Sequence, residues 1–349
     1  MGTWSTSPGE FHGNPLDVGL MTNGDHRFFG ISGKLDKPYV SSPEKELVIQ
    51  YSVKSDKKIE CGGSYIKLLP GGDKFDTAGF GGETDYSVMF GPDICGNNKR
   101  THVIVNHEKK QENLMIKKDI PCESDAVSHL YTLVIRPDNT FEVLVDNKSV
   151  RNGALDAHFD FLAEKEILDP NESKPFDWID EAKIPDPESV KPEGYDEIPP
   201  ELPDPDAKKP EDWDDEDDGE WEAPMIDNPE YEGPWSPKMI PNPDYKGAWV
   251  HPKIPNPDYE YDESMYAVCK EACTHVGFEL WQVTSGTIFD DIIVTDSLEE
   301  AQKFAEETFF EKWQAEKGAR EDAELQKTID ASKVAEEAAA SDDDAYEEF

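Results

Sequence analysis

Two sets of three proline-rich repeats constrain the fold of this chain more than any other feature of its sequence. Each copy in the first set runs from an aliphatic to an aromatic residue: Ile167–Trp178, Ile184–Tyr195 and Leu202–Trp213. The second set has a period of 14 residues, marked by Gly219, Gly233 and Gly247, by Trp221, Trp235 and Trp249, and by Tyr231, Tyr245 and Tyr259. Proline lacks the backbone N–H and fixes φ, so these repeats cannot form helices or central strands. Each repeat must therefore be an extended unit.

The order of the two sets predicts a long hairpin. Three units of one kind precede three of another, and the acidic run Asp214–Asp218 separates them. We expect the first set to run out and the second to run back. Trp and Tyr, recurring once per unit, would pack across the two legs and give each level a small core that depends on its neighbours. The alternative is a disordered acidic linker, but disorder does not require an aromatic residue at a fixed period.

The segments on both sides of the repeats have the pattern of a β-sandwich. Short strands are predicted at Leu47–Val53, Ser64–Leu69, Thr101–Asn106 and His129–Ile135, and after the repeats at Gly277–Val283 and Thr287–Thr295. Phe141, Val143 and Val145 alternate with their neighbours in the period-2 pattern typical of a half-buried strand. Because strand patterns resume after the repeats, we expect the repeat arm to be an insertion in one discontinuous sandwich domain.

A helix is predicted after the last strand. Ser297, with Glu300 three residues later, forms a capping box, and the apolar residues that follow have helical spacing. From about Lys312 the chain is rich in Ala, Glu and Lys, so we expect a solvated helix that frays into an acidic tail. The predicted division is 1–164 and 263–310 for the globular sandwich domain, 165–262 for the proline-rich arm and 311–349 for the acidic helical tail.

The charge of the chain excludes several classes of partner. Its 349 residues include 77 acidic and 34 basic side chains, which give a formal net charge of −43. Repulsion among so many like charges destabilises a compact state. Nucleic acid is not an expected partner because it requires clustered Lys and Arg; divalent cations and basic protein surfaces fit better. We expect the chain neither to span a membrane nor to display a secretion signal.

The cysteines indicate isolated disulfides. Five cysteines are too few for a disulfide scaffold, and their spacing matches no four-ligand zinc site, so one or two separate bridges are predicted. This favours an oxidising compartment. Cys269 and Cys273 either form a local bridge or stay reduced, and their spacing favours neither.

Two cysteine-containing motifs resemble signatures of the calreticulin and calnexin family. Residues 61–69 read Cys-Gly-Gly-Ser-Tyr-Ile-Lys-Leu-Leu, with Ser64 where the family has Gly or Ala, and residues 88–95 read Val-Met-Phe-Gly-Pro-Asp-Ile-Cys. Together with the paired repeats they cover most of the chain, and the lack of a membrane span favours the calreticulin branch. The resemblance implies a mainly β fold: a concanavalin-like β-sandwich (jelly roll) with an inserted extended proline-rich hairpin arm and a C-terminal acidic α-helix.

The resemblance also implies a function, that of a calcium-binding lectin chaperone for monoglucosylated N-glycans on folding glycoproteins in the endoplasmic reticulum lumen. The implied sugar site consists of Tyr65, Lys67, Tyr86, Met89, Asp93, Glu279 and Trp281, where Glu279 replaces the family's aspartate. A sugar site needs an aromatic face that stacks on a pyranose ring and polar groups that fix its hydroxyls. One such aromatic residue alone is more often an ordinary sheet residue, but the two flanking signatures favour the sugar site.

Further implied roles concern cysteines and calcium. Cys61 and Cys95 are the family's disulfide pair, expected to hold the sugar-binding face. Cys122 matches the family's free cysteine, which we expect to be a buried apolar thiol and not a nucleophile. A structural calcium site is implied at Asp290 with backbone oxygens near Leu16 and Val18. The acidic tail is expected to bind many calcium ions weakly; the alternative is a tail that only aids solubility.

The tip of the arm carries the last implied role. Glu216, Asp218, Glu220 and Trp221 match positions by which the family recruits a thioredoxin-like protein disulfide isomerase. An acidic tip with one exposed aromatic anchor suits docking on a basic patch, steered by charge. The alternative is that Trp221 is another repeat aromatic. The expected partners are thus monoglucosylated glycoproteins, unfolded polypeptides and this isomerase, and the chain is expected to be a monomer.

No enzymatic activity is predicted. Sandwich folds also host glycosidases, which need two carboxylates about 5 to 10 Å apart, but the acids here cluster in the arm and tail instead of alternating along one strand. None of the eight histidines lies in a recognisable nucleophile motif. The alternative function is a calcium-buffering protein without significant lectin activity. That alternative explains the charge but not the two cysteine motifs.

Overall fold

The computed structural model describes residues 1–210, 213 and 219–344. The chain divides into two compact units, one of Met1–Glu164 with Asp258–Phe349 and one of Lys165–Pro257. We call them the sandwich unit and the arm. Within the described residues, no helix combines the length and the apolar character that crossing a membrane requires.

The first sheet of the sandwich unit has seven antiparallel strands. Numbered along the chain, they are β1 (Thr3–Ser7), β2 (Gly19–Asn23), β4 (Leu47–Ser55), β10 (His129–Ile135), β11 (Thr140–Val145), β12 (Lys148–Ala154) and β20 (Thr287–Thr295). Their order across the sheet is β1-β2-β20-β4-β10-β11-β12. Strand β20 follows the arm in sequence but lies between strands that precede it. The prediction that the arm is inserted in one discontinuous sandwich is therefore confirmed.

The second sheet also has seven strands. They are β3 (Arg27–Tyr39), β5 (Cys61–Gly63), β6 (Ile66–Pro70), β7 (Val88–Cys95), β8 (Asn98–His107), β9 (Glu112–Met115) and β19 (Cys273–Gln282). The order is β3-β19-β5-β7-β8-β9, and β6 lies beside β5 in the same position between β19 and β7. The strand predicted over Ser64–Leu69 is thus interrupted at Ser64 and Tyr65. The Ser64 N–H still donates to the Pro92 carbonyl at 2.8 Å, and the register is the same on both sides of the interruption. Pro92 has no N–H with which to return a bond.

The hydrophobic core lies between the two sheets. Alternate side chains on each strand point inward, as the period-2 patterns predict. Fully buried residues include Phe29, Leu68, Val88, Phe90, Tyr131, Leu133, Phe141 and Val143. The β-sandwich predicted from the strand pattern is confirmed.

A helix covers the outer face of the first sheet. Helix α2 (Leu298–Thr308) begins at the predicted capping box, where the Glu300 N–H donates to Ser297 Oγ at 3.2 Å. Its Ala301 packs in one buried cluster with Leu144 of β11. Leu144 is consequently only 5% exposed, so the strand predicted to be half-buried is covered on both faces at this point. The short helix α1 (Leu155–His158) precedes the arm, and α3 (Phe310–Asp344) follows α2.

The arm consists of three short antiparallel strand pairs. They join β13 (Glu166–Leu168) with β18 (Lys253–Pro255), β14 (Lys183–Pro185) with β17 (Met239–Pro241), and β15 (Glu201–Pro203) with β16 (Met225–Asp227). The first repeat of the first set therefore pairs with the last repeat of the second set. This nested pairing confirms the predicted hairpin.

One aromatic residue per level ties the two legs of the arm together. Each donates a hydrogen bond to a glycine carbonyl of the opposite leg: Trp178 to Gly247 (3.0 Å), Tyr195 to Gly233 (3.0 Å) and Trp213 to Gly219 (2.9 Å). The three glycines have φ between 85° and 100°, a backbone conformation that glycine adopts at little cost. These contacts explain why each unit of the first set ends in an aromatic residue and why the glycines of the second set recur every 14 residues.

Polar side chains shape the turns beside these strands. Each of these carboxylates or amides accepts a hydrogen bond from the backbone N–H two residues further on: Asp169, Asp186, Asp204, Asn228 and Asn242. Such Asx turns hold a backbone turn with a single side chain. The proline-rich arm is thus ordered by local hydrogen bonds at every level.

Candidate functional site

The candidate sugar site lies on the outer face of the second sheet, around the interrupted strand β5–β6. Tyr51 of the first sheet supports this interruption from inside the core. Its hydroxyl donates to the Ser64 carbonyl at 2.7 Å and lies 3.2 Å from the Phe90 carbonyl. Gly91 has φ of 126°, and a Cβ added there would lie 1.7 Å from the Tyr51 hydroxyl oxygen. The second signature therefore requires glycine at this position.

A charged pair stands at the centre of the site. Lys67 on β6 and Glu279 on β19 form an ion pair with Nζ and Oε2 3.0 Å apart, and their side chains are 5% and 17% exposed. The Lys67 ammonium also lies 4.9 Å from the ring centroid of Tyr86, a cation–π contact. Glutamate at 279 is long enough to reach Lys67 directly.

Tyr65, at the interruption, faces the acidic residues of the site. Burial raises the pKa of its phenol above the ordinary value, and the charges of Glu279 and Asp93 raise this pKa further. Burial also raises the pKa of the Tyr86 phenol. Both phenols are therefore protonated at neutral pH and can donate as well as accept hydrogen bonds.

Asp93 on β7 is held by a neighbour that sequence reasoning missed. The ring Nε2 of His102 lies 3.1 Å from Asp93 Oδ2, and the His102 ring meets that of Tyr65 edge to face, with centroids 6.1 Å apart. Arg100 lies next along the same face, with Nε 3.9 Å from Asp93 Oδ2. Alternation within the predicted strand Thr101–Asn106 could have predicted that the His102 side chain points away from the core. It could not have predicted that His102 lies beside Asp93, because this depends on how two strands pair.

The remaining predicted site residues flank this centre. Met89 pairs in register with Lys67 across β6 and β7. Trp281 follows Glu279 by two residues on β19, so both point to the same face. Its ring packs on Phe28 with centroids 4.6 Å apart, and these two side chains are 38% and 55% exposed. Phe28 was not predicted, because nothing in its local sequence distinguishes it from an ordinary strand residue.

The loop that carries Tyr86 is anchored to the same sheet by aromatic residues. Phe75 stacks on His275 of β19, with centroids 4.5 Å apart and an interplanar angle of 26°. Phe80 is 7% exposed, and a Cβ added to Gly277 would lie 2.6 Å from its ring. The loop therefore packs against the sheet and holds Tyr86 beside Lys67.

Two disulfides form in the sandwich unit. Cys61 and Cys95 are bonded and pair in register across β5 and β7, so they close the sheet at one end of the candidate site. Cys269 and Cys273 are also bonded, which decides between the two alternatives that the sequence left open. Cys122 is free and half-buried, not fully buried as expected, and burial raises the pKa of its thiol to about 11, so the thiolate form is not favoured.

The residues of the implied structural calcium site come together in space. A Cβ added to Gly19, which directly follows Val18, would lie 3.1 Å from Asp290 Cβ. However, the Lys312 ammonium from α3 lies 3.0 Å from Asp290 Oδ2 and 3.0 Å from Asp291 Oδ2. Calcium requires six to eight oxygen ligands, and the described part of the chain has no set of three His, Cys, Asp or Glu side chains spaced to hold a metal. With Lys312 in place, these residues do not fit a calcium ion.

The charges at this locus act on one another. Burial and the negative charge of Asp291 raise the pKa of Asp290 above its ordinary value, and Lys312 offsets only part of this. Burial lowers the pKa of Lys312, but Asp291 and Asp290 together outweigh that effect and raise it. Lys312 is therefore held in its charged form between two carboxylates.

The predicted tip residues are only partly within the described chain. Glu216 and Asp218 lie outside the described residues. Glu220 is exposed and Trp221 is half-buried. Trp221 follows directly after the last level of the arm, which is closed by the hydrogen bond from Trp213 to Gly219.

Comparisons with known proteins agree with this fold. The calreticulin family model matches residues 1–218 and 216–294. The calreticulin of Dictyostelium discoideum is 52% identical over 320 residues, which are 91% of this chain and 74% of that protein. The calreticulin of Entamoeba histolytica is 52% identical over 334 residues, or 95% of this chain and 84% of that protein.

A solved structure is similar over nearly the whole chain. The T. cruzi calreticulin globular domain has a TM-score of 0.63 and 29% sequence identity, and the match covers 95% of this chain and 91% of that chain. Family model, relatives and fold thus agree with the two cysteine signatures and the paired repeats. The chain belongs to the calreticulin family.

Proposed function

We propose that this protein is a lectin chaperone of the endoplasmic reticulum lumen that binds monoglucosylated N-glycans on folding glycoproteins. Membership of the calreticulin family supports a calcium-binding lectin chaperone of the calreticulin type. One observation carries the finer assignment. The Lys67–Glu279 ion pair converges with Tyr65 and Tyr86 on the exposed face of a rigid sheet. The proposal contains no catalytic step.

In this proposal, the site recognises the terminal glucose through fixed polar groups. Lys67 donates to a sugar hydroxyl, while Glu279 and Asp93 accept from others, and the protonated phenols do both. These side chains are already held by one another and by His102 before the sugar arrives. Little conformational entropy is then lost on binding, which favours affinity. Exposed aromatic rings supply the flat apolar surface that a pyranose face covers.

Hydrogen-bond geometry accounts for selectivity. A site built to bond hydroxyls rejects a ligand that leaves its buried polar groups unpaired. Mannose differs from glucose in the configuration of one ring hydroxyl, so it would misplace a hydrogen bond at Lys67 or Glu279. The proposed site therefore distinguishes a glucose-terminated branch from the mannose branch that remains after glucose removal.

The experiment compares one glycoprotein before and after enzymatic removal of its terminal glucose. Wild-type protein is expected to bind only the glucosylated form. Lys67→Met is expected to weaken this binding at least about 10-fold, the effect of one hydrogen bond to a charged group. Lys99→Met is the matched control, since Lys99 lies on β8 and donates to Ser124 Oγ at 2.7 Å. Equal binding of both glycoforms, or equal losses in both variants, would refute the proposal.

We further propose that the arm tip recruits a thioredoxin-like disulfide isomerase. Glu220 and Trp221 place an acidic and an aromatic side chain directly after the last level of the arm. An aromatic anchor surrounded by acid suits a basic patch on a partner, and charge steering speeds the encounter.

Calcium storage is the third part of the proposal. Acidic residues recur along α3, which is exposed over most of its described side chains. Exposed carboxylates bind calcium weakly and in number, without the enclosed oxygen cage that a tight site needs. The high net negative charge of −43 supports this role.

A further inference from the structure

Lys312 at the start of α3 occupies the locus where a calcium site was expected. Its ammonium lies 3.0 Å from Asp290 Oδ2, 3.0 Å from Asp291 Oδ2 and 3.9 Å from Asp17 Oδ2. The Lys312 side chain is 13% exposed and that of Asp291 is 6% exposed. Ser52 Oγ donates to Asp291 Oδ2 at 2.7 Å. The ammonium thus lies among carboxylates from β20 and from the segment before β2, of which Asp291 is buried and Asp290 and Asp17 are partly exposed.

The next turn of α3 fixes the position of Lys312. Glu316, four residues on, is 1% exposed, and its Oε1 lies 3.1 Å from Lys54 Nζ. Its Oε2 also accepts from the Ser128 N–H at 2.8 Å. Residues four apart lie on one face of a helix, so Lys312 and Glu316 both point at the sandwich.

Two more contacts hold the same helical face. Arg320 Nη1 lies 2.8 Å from Asp125 Oδ2. A Cβ added to Gly13 would lie 2.4 Å from Ala315 Cβ, so the helix packs closely on the segment before β2. Lys312 is therefore a positioned internal cation, unlike a surface lysine with free choice of rotamer.

We infer that Lys312 supplies, from within the chain, the positive charge that joins Asp290 and Asp291 of β20 to the segment before β2, in place of a calcium ion. A calcium ion would need the carboxylate oxygens that the ammonium now contacts, and two cations would repel each other in so small a space. Calcium binding by this protein is then left to its exposed carboxylates, and the sandwich unit does not require the metal.

The test is hydrogen exchange of the full chain with and without calcium, read at the peptide that covers β20. Wild-type protein is expected to show the same protection of residues 287–295 in both conditions. Lys312→Met removes the charge but keeps the length of the side chain, so it leaves the carboxylates free for a metal. In this variant we expect calcium to raise protection of the same peptide, by about 100-fold when its concentration is 100 times the Kd.

The matched control is Lys303→Met on α2. It removes the same charge from a side chain that is 75% exposed, so any effect of calcium on the acidic tail is equal in both variants. It is expected to behave as wild type. Calcium-dependent protection of residues 287–295 in wild-type protein would overturn the inference.

Asp290→Asn in the otherwise wild-type chain provides a second test if Lys312→Met does not fold. It is expected to weaken protection of residues 287–295 equally with and without calcium, because it removes one partner of Lys312. A loss seen only in calcium would identify Asp290 as a metal ligand and would contradict the inference.

Discussion

The sandwich unit and the arm are stabilised in different ways. In the sandwich, residues distant in sequence share one core, where Phe29, Phe90 and Tyr131 are completely buried. In the arm, apolar residues of the strand pairs stay exposed, such as Leu168 at 55% and Met225 at 54%. The arm instead repeats a small unit of one strand pair, one aromatic-to-glycine hydrogen bond and Asx turns. Its stability is therefore local and additive, whereas that of the sandwich is cooperative.

This difference matches the two proposed binding roles. The sugar site needs side chains held within a fraction of an ångström, and a shared core with buried ion pairs provides this. The arm tip needs only to present an acidic patch and one aromatic anchor, which a chain of small levels can do. Changes in the two regions should accordingly differ in how far their effects spread.

The largest effect is expected at the buried ion pair of the sandwich unit. Glu316→Ala leaves Lys54 charged and buried without its partner, so the free energy of unfolding should fall by about 3 to 5 kcal/mol. This change in unfolding free energy is measured by urea denaturation, with tryptophan fluorescence as the signal. Glu307→Ala is the control: Glu307 is 65% exposed in its pair with Lys303, and its loss should cost at most about 0.5 kcal/mol. Equal losses of unfolding free energy in the two variants would show that the buried Lys54–Glu316 pair stabilises the fold no more than an exposed pair does.

The next effect concerns binding at the arm tip. Trp221→Ala should weaken binding of a thioredoxin-like isomerase about 30-fold, the effect of losing one aromatic hot spot. Stability of the sandwich unit should not change. Surface plasmon resonance with immobilised isomerase gives the Kd. Trp235, the equivalent residue 14 positions on, is the control. If Trp235→Ala weakens binding as much, Trp221 is only another repeat aromatic.

A smaller and strictly local effect is expected within the arm. Trp178→Ala removes the hydrogen bond to Gly247, so the Asp169 N–H, which is bonded to the Pro252 carbonyl at 2.9 Å, should exchange about tenfold faster. The Asp204 N–H belongs to another level and should be unaffected. Hydrogen exchange with single-residue resolution tests this. Equal acceleration at both amides would show that the arm unfolds as one cooperative unit.

The smallest effect is a pH dependence in the sandwich unit. Burial lowers the pKa of His129, but hydrogen bonds and charges from Asp146 and Asp125 outweigh it, so the pKa is raised. The stabilisation from protonated His129 is complete below its unfolded-state pKa, about 6.5, and is lost as pH rises through the folded-state pKa. The stability difference between wild type and His129→Gln should therefore shrink as pH rises, by at most about 1.4 kcal/mol per pH unit.

His107 provides a control of opposite sign for this titration. Burial lowers its pKa below the ordinary value, so wild-type protein should lose stability relative to His107→Gln as pH falls. Urea midpoints between pH 5.5 and 9 measure both variants. If the stability difference between wild type and His129→Gln stays constant or grows as pH rises, the pKa of His129 is not raised in the folded protein.

Local patterns predicted much of this fold. Short strand-like runs located β10 and β20, period-2 alternation located β11, and the capping box at Ser297 placed the start of α2. The order of the two repeat sets predicted the hairpin, and the recurring residues make the same short-range contacts at each level. These features depend on neighbours in sequence or on an exact repeat, which is why the sequence displays them.

Contacts between distant segments were not predicted. Leu144 was expected on an open face because nothing in β11 indicates that α2 will cover it. His102 and Phe28 join the candidate site only through the register of β8 and β3 with their neighbours. Lys312 meets Asp290 because α3 packs across the sheet, and its sequence context is that of a solvated helix. In each case, the partner is set by tertiary packing.

The most direct test of the sugar-site assignment is calorimetric titration of the full chain with a monoglucosylated tetrasaccharide in the presence of calcium, using wild type and the Tyr65→Ala, Asp93→Ala double variant. The account predicts saturable binding by wild type and loss of that binding in a variant that still unfolds cooperatively. No binding by folded wild-type protein would contradict the account and would favour a calcium-buffering protein without lectin activity.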